Sequence, residues 1–303
     1  MKIAFLFAGQ GAQAKGMGMD FYEKYEYAKE LYDSNPEIRD LCFYDKDDVI
    51  NQTAYAQKAM LLTSYVYAGC LRKEGIEPEF ACGLSLGEYS ALAFAGAWDL
   101  NDALYIVKNR GEIMQNALPL GTTKMAAIIG LDREKIEEVL KTIEGVCEIA
   151  NYNCPGQIVI TGDNLGVDNA MKALADAGAL KVVELNVSGA FHSSFLIPAS
   201  KELRKVLDEF KPNKPKYNIV YNVSGKEEDK PLNDILEQQI CHSVYFEDSI
   251  RYMVSKGVDT FIEIGPGKTL QGFLKRIDRK LKCYNVSSVE SLEQTIAQIK
   301  GQN

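Results

Sequence analysis

Phe80-Ala81-Cys82-Gly83-Leu84-Ser85-Leu86-Gly87-Glu88-Tyr89-Ser90-Ala91-Leu92-Ala93 decides the fold. A short apolar run enters a glycine-rich turn, and a run of small residues follows at once. Strand, tight turn and slim helix in that order form the repeating step of an α/β sheet. The amino terminus has the same opening: Ile3–Phe7 is a continuous apolar run closed by Gly9-Gln10-Gly11-Ala12-Gln13, as expected for a strand buried on both faces. The apolar stretch from Ile3 ends after six residues, too short for the core of a secretory signal.

Working outward, the periodicity predicts helices over 20–34, 54–74, 89–97 and 101–116. Beyond residue 188 the alternation resumes. Helices are expected over 200–210, 234–242 and 270–277, and strands over 218–223 and 260–264. Between these halves the pattern changes. Residues 125–130 read as a strand, and Asp132 is a natural N-cap for a helix over 133–143. Strands over 146–151 and 157–161 are joined through Asn153-Cys154-Pro155-Gly156, and a helix over 165–178 and a strand over 181–185 follow. The order β-α-β-β-α-β is the ferredoxin-like split motif. The expected architecture is α/β: a large domain (1–122 and 188–303) with a mostly parallel sheet, and an inserted ferredoxin-like domain (123–187).

Composition narrows the function classes. Of 303 residues, 46% are hydrophobic and 25% charged, which fits a globular protein and excludes disordered and fibrous classes. The formal charge of −8 argues against nucleic acid as the main partner. No apolar run is long enough to cross a membrane. The seven Cys are scattered and never spaced as CxxC, which suits free thiols in a cytoplasmic protein and gives no metal site. Only two histidines are present, His192 and His242.

Gly83-Leu84-Ser85-Leu86-Gly87 is a G-x-S-x-G sequence between a strand and a helix, the setting of a nucleophile elbow. Such a turn lifts the serine hydroxyl to a helix N-terminus, with the N–H of Leu86 as an oxyanion donor. A competing reading is open, because Ser85-Leu86-Gly87-Glu88 also spells an S-x-x-E capping box. A serine nucleophile needs a base. His192 lies on a loop with small neighbours, whereas His242 falls at a helix end, where it suits the dipole. The acids that could orient a base in a hydrolase order (Asp163, Asp168, Asp176, Glu184) all lie within the insert, which tells against a Ser–His–acid triad.

Taken together, these residues resemble the malonyl-CoA:acyl-carrier-protein transacylase family of fatty acid synthesis. The similarity runs from Phe7-Ala8-Gly9-Gln10-Gly11-Ala12-Gln13 through Gln57-Lys58-Ala59-Met60, Gly87-Glu88-Tyr89-Ser90, Arg110-Gly111, Ala150-Asn151-Tyr152-Asn153 and Phe191-His192-Ser193 to Glu263-Ile264-Gly265-Pro266-Gly267-Lys268. The resemblance implies a hydrolase-like large domain and assigns roles. Ser85 would be acylated, His192 would be the base, and Gln239 would orient it through its main-chain carbonyl. Amides of Gln10 and Leu86 would form the oxyanion hole. Arg110 would bind the malonyl carboxylate, a role its planar fork of donors suits. Gln57 would line the pocket, and Phe191 would exclude an α-methyl branch.

The family usually carries His before the nucleophile; here that residue is Leu84. Malonyl-CoA and holo-acyl carrier protein would be the substrates, with no cofactor or metal, in a monomeric enzyme working by ping-pong exchange. Carrier proteins are acidic, so a local basic patch is expected, and Lys275, Arg276, Arg279, Lys280 and Lys282 form the densest cluster. The alternatives are a discrete acyltransferase serving a polyketide synthase, a serine hydrolase that releases malonate, and a non-catalytic carrier-binding protein.

Overall fold

The structure, a computed structural model, describes residues 1–187 and 189–301. Ser188, where the second segment of the large domain is expected to begin, lies outside the described residues, as do Gln302 and Asn303. The strands are β1 (Ile3–Phe7), β2 (Phe80–Gly83), β3 (Thr123–Ile129), β4 (Cys147–Cys154), β5 (Gln157–Asp163) and β6 (Lys181–Glu184). They continue with β7 (Asn218–Ile219), β8 (Val244–Tyr245), β9 (Thr260–Ile264) and β10 (Lys282–Val286). The first helices are α1 (Met19–Lys24), α2 (Glu26–Asp33), α3 (Pro36–Tyr44), α4 (Thr53–Lys73), α5 (Leu86–Phe94) and α6 (Leu100–Asn116). Next come α7 (Arg133–Leu140), α8 (Asn164–Asp176), α9 (Ile197–Leu207) and α10 (Leu232–Gln239). The last are α11 (Phe246–Ser255), α12 (Thr269–Ile277) and α13 (Val289–Lys300).

The apolar run of β1 occupies the centre of a five-stranded sheet in the order β10-β9-β1-β2-β7, every pairing parallel. Burial on both faces explains why the run does not alternate. Helix α4 is apolar around most of its circumference, and it is buried along most of its length against α5 and α6. Parallel strands all end at one edge, so Phe7, Gly83 and Ile264 deliver their loops to the same side. A site on that edge is the usual solution for an open α/β sheet.

A second sheet runs β6-β3-β5-β4-β8. Its first four strands pair antiparallel, while β8, which comes from later in the chain, pairs parallel to β4 at Asn151↔Val244 and Tyr152↔Tyr245. One face carries Ala126, Ile128, Ile149, Ile158 and Ile160 into a core with α7 and α8. The other turns Met125, Ala150 and Val159 into the core built on the first sheet.

Several elements depart from expectation. The helix expected over 20–34 is broken at Tyr25, whose φ of −114° and ψ of 119° are extended and whose ring packs 5.8 Å from that of Phe21. The strand expected over 218–223 is only two residues long, because the chain turns off the sheet toward the nucleophile turn. The helix expected over 234–242 stops at Gln239, leaving His242 outside it. Helices α3, α11 and α13 and strands β8 and β10 were not expected. Pro36 at the first turn of α3 and the Ser288 capping box of α13 were the signals available for two of them.

Candidate active site

Strand β2 ends at Gly83 and α5 starts at Leu86, so the reversal is completed within two residues. That sharpness is possible only with glycines. A Cβ on Gly83 would lie 1.9 Å from the carbonyl carbon of Gly87, and one on Gly87 would lie 2.1 Å from the Phe7 oxygen. Ser85 sits at φ 53° and ψ −104°, left-handed backbone that costs a residue with a Cβ about 1–3 kcal/mol. The capping-box alternative is overturned, because the Ser85 side chain caps no helix amide. Its Oγ lies 2.7 Å from Nε2 of His192 instead.

His192 is buried and also has positive φ, at 59°. Its Nδ1 is 2.9 Å from the main-chain oxygen of Gln239, and its N–H donates to Ile240 O at 3.0 Å. A carbonyl oxygen only accepts, so Nδ1 carries the proton and Nε2 is left to accept from Ser85. Burial, and secondarily the charge of Arg110, push the His192 pKa down to about 4, so the imidazole is neutral at physiological pH. None of the four acids weighed from the sequence is bonded to His192. Asp163 caps α8, Asp168 and Glu184 pair with Lys124, and Asp176 ends α8. His242 Nδ1 lies 3.0 Å from Gln238 O, a helix-end contact, as expected for that histidine.

Arg110, on α6, is 1% exposed, and makes no ion pair among the described residues. Nη1 donates to Gln57 Oε1 at 2.8 Å; Nη2 donates to Gln239 Oε1 at 2.9 Å and to Ser85 Oγ at 3.2 Å. The guanidinium also lies over the Tyr89 ring, 4.9 Å from its centre. A buried cation without a counter-ion is costly and calls for an anionic ligand. Glu88 does not supply the charge. It is fully buried, and desolvation raises its pKa to about 8, so it is mostly protonated at neutral pH.

These groups open on a cavity of about 450 Å³ lined by Gln10, Leu84, Ser85, Leu86, Gln57 and Arg110 on one side. Asn151, Asn153 and Val159 from the second sheet, with Phe191 and His192, form the other. Every site residue expected from the sequence is therefore gathered here except Gln239, which sits behind His192. The Gln10 and Leu86 amides have no hydrogen-bond acceptor among the described residues. Leu84 packs onto the core between the large-domain sheet and α11, and its N–H donates to Phe7 O at 3.1 Å.

Sequence reasoning missed Asn222, which bonds to the nucleophile turn at several points, and gave no role to Asn151 or Asn153. A lone buried amide far along the chain carries no local pattern. The basic cluster is displaced from expectation. Helix α12 runs back across the sheet, and Lys282 pairs level with Thr260, so Lys275, Arg276, Arg279 and Lys280 lie toward the edge opposite Ser85.

A serine bonded to a neutral histidine at the carboxyl edge of a parallel sheet, with a buried arginine lacking a counter-ion alongside, is an arrangement able to transfer an anionic acyl group. The acyl transferase domain family matches residues 4–294. The malonyl CoA-acyl carrier protein transacylase of Bacillus subtilis (strain 168) is 42% identical over 312 residues, covering 100% of this chain and 98% of that protein. The crystal structure of malonyl CoA-acyl carrier protein transacylase from Clostridium perfringens superposes with a TM-score of 0.97 at 38% identity, covering 100% of this chain and 98% of that one. A malonyl-transacylase in complex with a type II polyketide synthase acyl carrier protein has a TM-score of 0.94 at 31% identity, covering 98% of this chain and all of that one. The chain belongs to the malonyl CoA-acyl carrier protein transacylase family.

Proposed function

We propose that this enzyme moves a malonyl group from malonyl-CoA to the phosphopantetheine thiol of acyl carrier protein through an ester on Ser85. The observation that carries the reading is Arg110, buried without a carboxylate and 3.2 Å from the nucleophile oxygen. A malonyl carboxylate would neutralise it and set the thioester carbon over Ser85. His192 Nε2 takes the Ser85 proton as Oγ attacks, the C–S bond breaks, and the proton passes to the departing CoA sulfur. The amides of Gln10 and Leu86 receive the oxyanion. In the second half His192 takes the carrier's thiol proton, the sulfur attacks the ester, and the proton returns to Ser85. Gln239 O holds the imidazole throughout. Gln57 steadies Arg110, and Phe191 narrows the space beside the acyl α-carbon.

Both half-reactions are acyl exchange between sulfur and oxygen, so neither needs a cofactor, and one chain supplies every group named. The substrates are intracellular thioesters, which sets the reaction in the cytoplasm. We read 1–122 with 188–303 as the hydrolase-like catalytic domain and 123–187 as a ferredoxin-like insert; the β6-β3-β5-β4 order supports this. The basic cluster at Lys275, Arg276 and Arg279 is proposed to steer the acidic carrier rather than to touch it near the mouth, given where α12 ends.

Intact-mass measurement tests the proposal. Wild-type protein mixed with malonyl-CoA should gain one malonyl group, and Ser85→Ala should gain none. Absence of an adduct on the wild type would overturn it. Arg110→Gln should slow acylation by malonyl-CoA about 100-fold or more while sparing acetyl-CoA. The relative complexed with a polyketide carrier favours a second reading, in which the acceptor belongs to polyketide assembly. Rates with the two kinds of carrier separate them.

A further inference from the structure

Ser85 keeps backbone angles that a residue with a Cβ resists, and its own side chain does nothing to hold them. The restraint comes from Asn222, which stands where the chain leaves the sheet after β7. Its Oδ1 accepts from Ser85 N–H at 2.7 Å, and its Nδ2 donates to Gly83 O at 2.7 Å. Its own N–H donates to Glu88 Oε2 at 2.6 Å. One residue thus bonds the last residue of the strand, the nucleophile and the first turn of the helix. From the other side Gln239 Nε2 donates to Ser85 O at 2.7 Å. Asn222, Glu88 and Gln239 are all fully buried.

Taking Ser85 as the nucleophile, as proposed above, we infer that Asn222, anchored by Glu88, is the positioning residue of the nucleophile turn: it aims Ser85 Oγ at His192 and withdraws the Ser85 amide from the substrate. Two consequences follow from the bonding. A Ser85 N–H committed to Asn222 cannot serve an oxyanion, so that duty falls on the unengaged amides of Leu86 and Gln10. Glu88 directs one oxygen at the Asn222 amide and, kept neutral by burial, does not compete with substrate for Arg110. Asparagine suits the position because its amide presents an acceptor and a donor side by side. Aspartate would lose the donor, and an apolar residue of the same shape would lose both.

The test is single-turnover malonylation of the full chain at saturating malonyl-CoA, followed by intact mass. Asn222→Ala should lower the acylation rate constant about 10- to 100-fold, with KM for malonyl-CoA moving less than about twofold. Glu88→Ala should fall comparably. Glu88→Gln keeps an acceptor for the Asn222 N–H and should recover to within about threefold of wild type. Because the two residues act as one unit, the double alanine variant should be no slower than the slower single.

Wild-type acylation in Asn222→Ala, or a loss confined to KM, overturns the assignment. If Asn222→Ala does not fold, the Glu88 pair decides, and equal rates for Glu88→Ala and Glu88→Gln overturn it. A wild type that takes no malonyl group sinks the Ser85 reading itself. A malonylated wild type with unaffected variants sinks only the role of Asn222.

Discussion

His192, the proposed base, owes its neutral state to what surrounds it, burial first and the charge of Arg110 second. With its pKa lowered to about 4, the kcat/KM for malonylation should keep its full value from pH 7 down to about 5, with the acid limb near pH 4. A limb at the ordinary histidine value, near 6.5, would show that the site is wetter than its burial suggests. His192→Ala should lose on the order of 10³-fold or more in rate.

Glu88 gives a stability signature of the opposite sign. A carboxyl with a raised folded pKa loses stability as pH climbs from its unfolded value through its folded one. Glu263, raised to about 7 by burial, has completed most of that loss by pH 7, whereas Glu88, at about 8, continues it to pH 8. The melting temperature should therefore fall between pH 7 and 8, and Glu88→Gln should flatten that slope. Ser85 and His192 were legible in the sequence because one sits in a spaced glycine motif and the other is one of two histidines. Asn222 was not, because its partners lie up to 139 residues away and an isolated asparagine advertises nothing.

Among the elements, the unit from β1 through β2 to α5 is the tightest junction in the site. Helix α5 crosses β1 so closely that Gly87 has no room for a methyl group, the nearest obstacle being a main-chain oxygen that cannot move alone. Gly87→Ala should destabilise the protein by about 3 kcal/mol or more, measured by urea unfolding, and any folded fraction should malonylate slowly. The closeness was readable from Gly-Leu-Ser-Leu-Gly followed by small residues. The alternation of apolar runs and amphipathic stretches likewise pointed to the mostly parallel sheet. What stayed hidden left no local signal. Strands β7 and β8 are two residues long, and no periodicity exists at that length. The break at Tyr25, where the backbone turns extended, is marked by no Gly or Pro in the sequence.

At the scale of the whole molecule, the active cavity belongs to neither sheet alone. Loops at the end of the first sheet bring Ser85 and Gln10, and the second sheet supplies the wall with Asn151, Asn153 and Val159. The net charge of −8 opposes an acidic partner at long range, and the proposed steering by Lys275 and Arg276 is what would offset it. Reversing Lys275 and Arg276 to Glu should lower kcat/KM for carrier protein several-fold at low salt, and the difference should shrink as salt is added. Malonylation by malonyl-CoA should not change. An unchanged carrier rate would remove the cluster from the mechanism.

The two residues of β8 bear on how this architecture can be rebuilt. Because Val244 and Tyr245 complete the edge of the second sheet from outside the 123–187 segment, that segment is not a cassette with its own closed border. Its outermost strand is sutured to the host, and Tyr152 stacks on Tyr245 across the seam at 5.0 Å. Grafting the segment of one relative into another transplants only one lip of that suture. A chimera that exchanges this segment between relatives should therefore carry residues 244–245 along with it, so that both lips share one ancestry.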